Sequence, residues 1–152
     1  MTSPTTQVTV SRRIGADPTS TALLLAGPSA VDLWPGVERV SRVDGLILVE
    51  ATLGTGASRP AAVAVSARPP KRTPTSFVTT FAWTGPDLPE AVGTLTLTYA
   101  AVVGGGVPRA HAELVLQVGA LESSPLDVRA LTAMAEGFLD NLAAAAEARR
   151  AA

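Results

Sequence analysis

The stretch SSPLDVRALTAMAEGFLDNLAAAAEARRAA, residues 123–152, decides the architecture of this chain. Ser124 suits an N-cap and Pro125 the first helical position. Asp127 stands three residues past the cap, as in a capping box with Asp in place of Glu. Leu131, Met134, Ala135, Phe138, Leu142 and Ala145 then recur at helical spacing as one apolar stripe. Arg149 and Arg150 suit the negative end of the helix macrodipole. The pattern predicts a helix of about 25 residues, roughly 38 Å long at ~1.5 Å per residue. A helix apolar on one side needs a surface to cover.

That surface lies upstream. Residues 7–14, QVTVSRRI, alternate Val8, Val10, Arg12 and Ile14 against Thr9, Ser11 and Arg13, the period of a strand. ADPTSTALLLAG follows, with Asp17 as N-cap, Pro18 at the first helical position and Gly27 at the stop. A second short helix or turn, Ser29 to Leu33, ends at Trp34-Pro35-Gly36. Strand signals then come in series: Val37–Val43, Leu46–Leu53, Ala62–Arg68, Ser76–Trp83, Ala91–Val103 and Arg109–Val118. Asp44-Gly45 is a strong hairpin signal, and GTGASRP, PPKRTP, GPDLPE and GGGVP separate the rest. None of these gaps holds a crossover helix, so consecutive strands pair antiparallel as a meander. Seven strands at ~4.8 Å spacing make a sheet roughly 30 Å wide, narrow enough for the C-terminal helix to cross.

Alternation assigns the faces. Phe77, Thr79, Phe81 and Trp83 share one face of their strand, and Leu95, Leu97 and Tyr99 share one face of the next. Ala110, Ala112, Leu114, Leu116 and Val118 do so in the last strand, which turns Arg109, His111, Glu113 and Gln117 outward.

Composition bounds the function. The 152 residues suit one domain spanning 1–152, and 47% hydrophobic with 16% charged residues is a globular balance. A net charge of −1 gives no bulk attraction to nucleic acid or to anionic membrane. With no cysteine and one histidine, no transition-metal site, structural or catalytic, is expected. The opening MTSPTTQVTV lacks a basic n-region and an apolar h-region, and TALLLAG is too short to span a bilayer. A cytoplasmic protein without integral membrane association is the expectation, as monomer or homodimer and without a cofactor.

Three local patterns, VTVSRRIGADPTSTALLLAGP, DLWPGVERV and the C-terminal amphipathic helix, resemble the START-like superfamily, also called SRPBCC, whose fold is the helix-grip. The superfamily includes polyketide cyclase/dehydrase-type proteins, birch pollen allergen relatives, coenzyme Q-binding proteins and lipid-transfer domains. The resemblance covers nearly the whole chain. It implies a seven-stranded curved antiparallel sheet wrapped around the long helix, with two short helices between strands one and two. It further implies a cavity between sheet and helix for a small hydrophobic or aromatic molecule, lipid-like or polyketide-like.

On this sequence the lining would be Phe77, Phe81, Leu97, Tyr99, Leu114, Met134 and Phe138, with Trp34 near the mouth. Trp34 is read first as a staple between two elements. Tyr99 has two readings, a donor to a ligand carbonyl or to a backbone carbonyl. Arg12 is read as snorkelling outward and His111 as an exposed strand histidine. Glu50 takes an edge or outer-face position, Gly104-Gly105-Gly106 a hairpin tip, and RPPKRTP a solvated basic loop. No carboxylate pair has spacing suited to acid/base work, and no catalytic residue is assigned. Two further functions stay open: a polyketide cyclase/aromatase-like enzyme, and an interaction protein with a vestigial cavity.

Overall fold

A computed structural model describes residues 5–26, 32–35, 37–43, 46–51, 61–67, 71–73, 76–85, 88–100, 109–119 and 128–151. Among them the order is β1 (Thr5–Ile14), α1 (Pro18–Ala26), a turn at 32–35, β2 (Val37–Val43), β3 (Leu46–Ala51), β4 (Ala61–Ala67), β5 (Lys71–Arg72), β6 (Ser76–Gly85), β7 (Leu88–Ala100), β8 (Arg109–Gly119) and α2 (Val128–Ala151). The architecture is α+β, a curved antiparallel sheet with a C-terminal helix. The sheet runs β1-β8-β7-β6-β4-β3-β2, so the meander from β2 to β8 is closed by β1 pairing with β8. Val43 faces Leu46 across the β2–β3 pair, the register that a two-residue Asp44-Gly45 connection requires.

One expectation is corrected. The described strands number eight, not seven, because Lys71-Arg72 is a short strand rather than part of a free basic loop. Lys71 pairs with Val78 and Arg72 with Phe77, on the side of β6 where Ala67 of β4 pairs with Phe81. Four steps separate Ala67 from Lys71, against three between Phe81 and Val78. β4 and β5 therefore lie along the same side of β6, and positions 68–70 between them lie outside the described residues. α1 is the α-helix described between β1 and β2; of the second short helix or turn expected at Ser29 to Leu33, Asp32 and Leu33 lie in a 3-10 turn and positions 29–31 lie outside the described residues.

α1 begins as its sequence dictates. Asp17 Oδ1 accepts the Ser20 N–H at 2.8 Å, and the Asp17 carbonyl accepts both the Thr21 N–H at 3.1 Å and the Thr21 hydroxyl at 2.9 Å. Pro18 takes the next position, where a missing N–H leaves nothing unsatisfied.

The inner face of the sheet is a set of cross-strand rows. Thr79, Leu95, Leu114 and Val10 are successive partners, flanked by the row Phe81, Gly93, Leu116, Val8 and the row Phe77, Leu97, Ala112, Arg12. Leu95, Leu97, Ala112, Leu114 and Leu116 are buried, while Arg109, His111, Glu113 and Gln117 are exposed on the other face. α2 lies along β1. The Arg12 guanidinium pairs with Asp140, and the Gly15 N–H donates to Glu147 Oε1 at 2.9 Å. From 140 to 147 the helix rises about 10.5 Å, and from 12 to 15 the strand advances about 10 Å, so the two run in the same direction.

The buried positions of α2 are Leu131, Ala135, Phe138, Leu139, Leu142, Ala143 and Ala146, with Met134 and Ala145 half-buried. The face is wider than the stripe read from the sequence because α2 meets α1 as well as the sheet. Its expected cap at Ser124 and Pro125 lies outside the described residues.

Candidate functional site

The site is built around the turn at 32–35. Asn141 Nδ2 donates to the Leu33 carbonyl at 2.7 Å, which ties the turn to α2. One helical turn earlier, Gly137 lies under Pro35. A Cβ at position 137 would stand 2.9 Å from Pro35 Cγ. Glycine in a helix interior costs roughly 1 kcal/mol relative to alanine. Here the missing side chain admits the turn. Gly137 and Asn141 are four residues apart and so share a face of the helix.

Trp34 is thereby delivered into the space between helix and sheet. Its ring stacks on Phe138 at 4.4 Å between centroids and an interplanar angle of 27°. It meets Phe81 at 5.5 Å and Trp83 at 5.3 Å in T-shaped contacts. Phe81 and Trp83, two apart on β6, are themselves near parallel at 6.0 Å. These are the arrangements that ring quadrupoles favour, each pair contributing about 0.5–1.5 kcal/mol beyond area burial. Phe138 and Trp83 are buried, whereas Trp34 and Phe81 are half-buried. α2 approaches β1 most closely, and its contact with β8 is slighter. The four rings bridge from α2 to β6, which lies beyond β8 and β7 in the sheet.

Of the residues chosen from the sequence, Trp34, Phe81 and Phe138 come together here. Leu97 and Leu114 are fully buried in neighbouring rows, and Phe77 and Met134 are half-buried against the same core. Tyr99 stands apart. Its partner across β8 is Ala110, at the end of the sheet, where its side chain is 51% exposed and its hydroxyl lies 3.4 Å from that of Thr19 on α1. Alternation gave its face correctly, yet Tyr99 is half-exposed although Ala110 and Ile14 in the same row are fully buried. Arg12 does not line the ring cluster; its stem lies on the inner face with Nε buried, and its half-exposed guanidinium pairs with the exposed Asp140. His111 is exposed. The side chain of Glu50 and residues 104–106 lie outside the described parts of the structure.

Sequence reasoning put Trp83 on the right face but left it out of the site. It missed Gly93, Gly137 and Asn141 altogether. The usable signal was glycine inside regular elements, since an interior glycine often marks a close approach of another group. Among the described residues no group of three or more His, Asp or Glu is placed to hold a metal ion. No helix among them is long and apolar enough to cross a membrane.

No family model and no curated protein matches the sequence. Solved structures do. The chain is similar to the Zhui aromatase/cyclase from Streptomyces sp. R1128, with a TM-score of 0.64 and 15% identity over 96% of each chain. It is similar to ginseng major latex-like protein 151 from Panax ginseng, with a TM-score of 0.62 and 9% identity over 92% of this chain and 96% of that one. A conserved protein from Geobacillus kaustophilus matches at a TM-score of 0.63 and 9% identity, over 93% of this chain and 95% of that one. At such identities the likeness is one of fold. The fold is the helix-grip, and the resemblance to START-like, SRPBCC proteins holds at that level.

Proposed function

We propose that this chain binds a small hydrophobic or aromatic molecule, lipid-like or polyketide-like, between the sheet and α2. The observation that carries the reading is the four-ring cluster of Trp34, Phe81, Trp83 and Phe138, which bridges α2 to β6 away from the helix's closest approach at β1. Ligand sites are mostly apolar and aromatic, with a few polar groups to fix orientation. Phe77, Leu97, Leu114 and Met134 extend the apolar surface along the neighbouring rows. On this reading the protein acts as a single domain in the cytoplasm, as monomer or homodimer.

A second reading, an enzyme resembling a polyketide aromatase/cyclase, draws on the likeness to Zhui. Catalysis needs acids and bases positioned at the reacting atoms. By register the polar positions of the inner face include Thr6, Arg42, Thr79, Arg12, which is engaged by Asp140, and the half-exposed Tyr99, with no carboxylate among these five. That set favours binding over catalysis.

The test is native mass spectrometry of the purified protein together with a thermal-shift screen of hydrophobic ligands. The expected result is a co-purified mass, or a ligand whose binding stabilises the fold by about 2.7 kcal/mol at a hundredfold excess over its Kd. Neither a bound mass nor a shift, in the parent protein and in Trp34→Ala alike, would overturn the reading.

A further inference from the structure

We propose that Trp34 is a resident occupant of the binding space, and that an incoming ligand takes its place by displacing the 32–35 turn. This rests on the binding reading and adds a mode of regulation to the same site.

Three observations carry it. First, the Trp34 ring is held as an aromatic ligand would be, stacked on Phe138 and in T-shaped contact with both Phe81 and Trp83. Its ring partners Phe138, Phe81 and Trp83 belong to α2 and to β6, so none of them sits on the turn that carries Trp34. Second, Trp34 is half-buried, whereas Phe138 is only 3% exposed and Trp83 7%. The occupant has an open side, as Phe81 does, whereas Phe138 and Trp83 are closed off. Third, the seating of the turn is slight. Among the described residues, one hydrogen bond, from Asn141 to the Leu33 carbonyl, ties it to α2, and Asn141 is itself exposed. The rest of its described seat is apolar packing, the Pro35 ring over Gly137 and Leu33 against the core. A turn held to α2 by one described hydrogen bond and otherwise by apolar packing can leave as a unit while sheet and helix keep their own packing.

The binding space is therefore closed by a part of the chain with the same chemistry as its ligand. A binding-competent state that is only fractionally populated weakens apparent affinity by that fraction. Trp34 thus sets a threshold. A ligand must match the stacking that the indole already makes.

The experiment uses the two tryptophans. Trp83→Phe leaves Trp34 as the sole indole of the chain. This variant is titrated with 4-phenylphenol, with binding followed by calorimetry and the exposure of Trp34 by acrylamide quenching. Displacement predicts that saturation with the probe makes Trp34 more quenchable and shifts its emission to the red. It also predicts that Trp34→Ala tightens the probe's Kd by about tenfold, the change for a turn seated about nine-tenths of the time. If the probe binds while Trp34 becomes less quenchable, or if Trp34→Ala weakens binding, Trp34 is a fixed wall. The displacement idea then falls and the binding reading stands. Binding to Trp34→Ala without binding to the parent supports displacement in its extreme form. No binding to either protein removes both ideas. Asn141→Ala offers a second arm that leaves every ring in place. Loosening the seat is expected to tighten the Kd in the same direction, and an unchanged or weaker Kd counts against displacement.

Discussion

The Phe81 ring covers the backbone of Gly93, its register partner on β7, so closely that a Cβ at position 93 would fall inside the ring's van der Waals envelope. The ring cannot simply swing clear, because Trp34 meets it at 5.5 Å and Trp83 lies alongside at 6.0 Å. Gly93 thus sets how low Phe81 sits, and so how much room is left above it. Gly93→Ala is expected to destabilise the fold by about 1–3 kcal/mol, the usual cost of overpacking. In a Phe81→Leu background the same substitution should cost clearly less. Urea unfolding of the four proteins in this cycle measures the coupling. Additive effects would mean that the ring does not rest on Gly93.

Asp17 supports a prediction of a different kind. Its carboxylate accepts the Ser20 N–H at 2.8 Å and caps α1, which packs against both α2 and β6. Asp17→Ala is expected to cost about 0.5–2 kcal/mol, and Asp17→Asn much less because Asn caps comparably. Thermal unfolding followed by circular dichroism reads both. Equal losses for the two variants would assign the effect to charge rather than to capping.

These two cases mark how far the sequence was legible. Asp17-Pro18 is a local signal, since cap and first position need only their own neighbours, and the structure has the helix where that signal puts it. Strand faces were legible for the same reason. Alternation is local, and in β8 the burial of Ala110, Ala112, Leu114, Leu116 and Val118 follows it without exception. The site was only half legible, because its defining contacts join residues distant in sequence. Nothing near Gly93 points to Phe81, and nothing near Gly137 points to Pro35. Lys71-Arg72 was misread because flanking prolines mark a break, and only the β6 register places those two residues as a strand on β4's side of β6. Tyr99 obeyed alternation and still ended exposed beside fully buried Ala110, since parity assigns a face but not how deeply a long side chain on it is covered.

Arg12 and Asp140 hold the edge strand to α2. The side chains are 40% and 61% exposed, so the ion pair itself contributes little, about 0.2–1 kcal/mol. Asp140→Asn is expected to lose no more than that, with the loss shrinking at high salt. Arg12→Ala should cost more than Asp140→Asn, because the Arg12 stem lies on the inner face beside buried Ala112. Arg12→Met, which keeps a long apolar stem, should recover most of the difference. Urea unfolding at low and at high salt separates the contributions. A loss for Asp140→Asn as large as that for Arg12→Ala would make the pair, not the stem, the main tie.

Gly137 brings two opposing effects into one substitution. Replacing it with alanine removes the cost of glycine in a helix interior, a gain of up to about 1 kcal/mol. The added methyl would stand 2.9 Å from Pro35 Cγ, and proline's ring is rigid, so the turn has to lift. Lifting the turn strains the Asn141–Leu33 hydrogen bond, a loss of about 0.5–1.5 kcal/mol, and opens the Trp34–Phe138 stack. The two effects nearly cancel in overall stability but not in spectroscopy. Gly137→Ala is therefore expected to unfold within about 1 kcal/mol of the parent while its tryptophan emission moves to the red and its near-ultraviolet dichroism weakens. Asn141→Ala should produce the same spectral change with no gain from helix propensity, and so a net loss of stability. If Gly137→Ala stabilises the protein with the aromatic spectra unchanged, the turn does not rest on the helix at that point, and the seat of Trp34 must lie elsewhere.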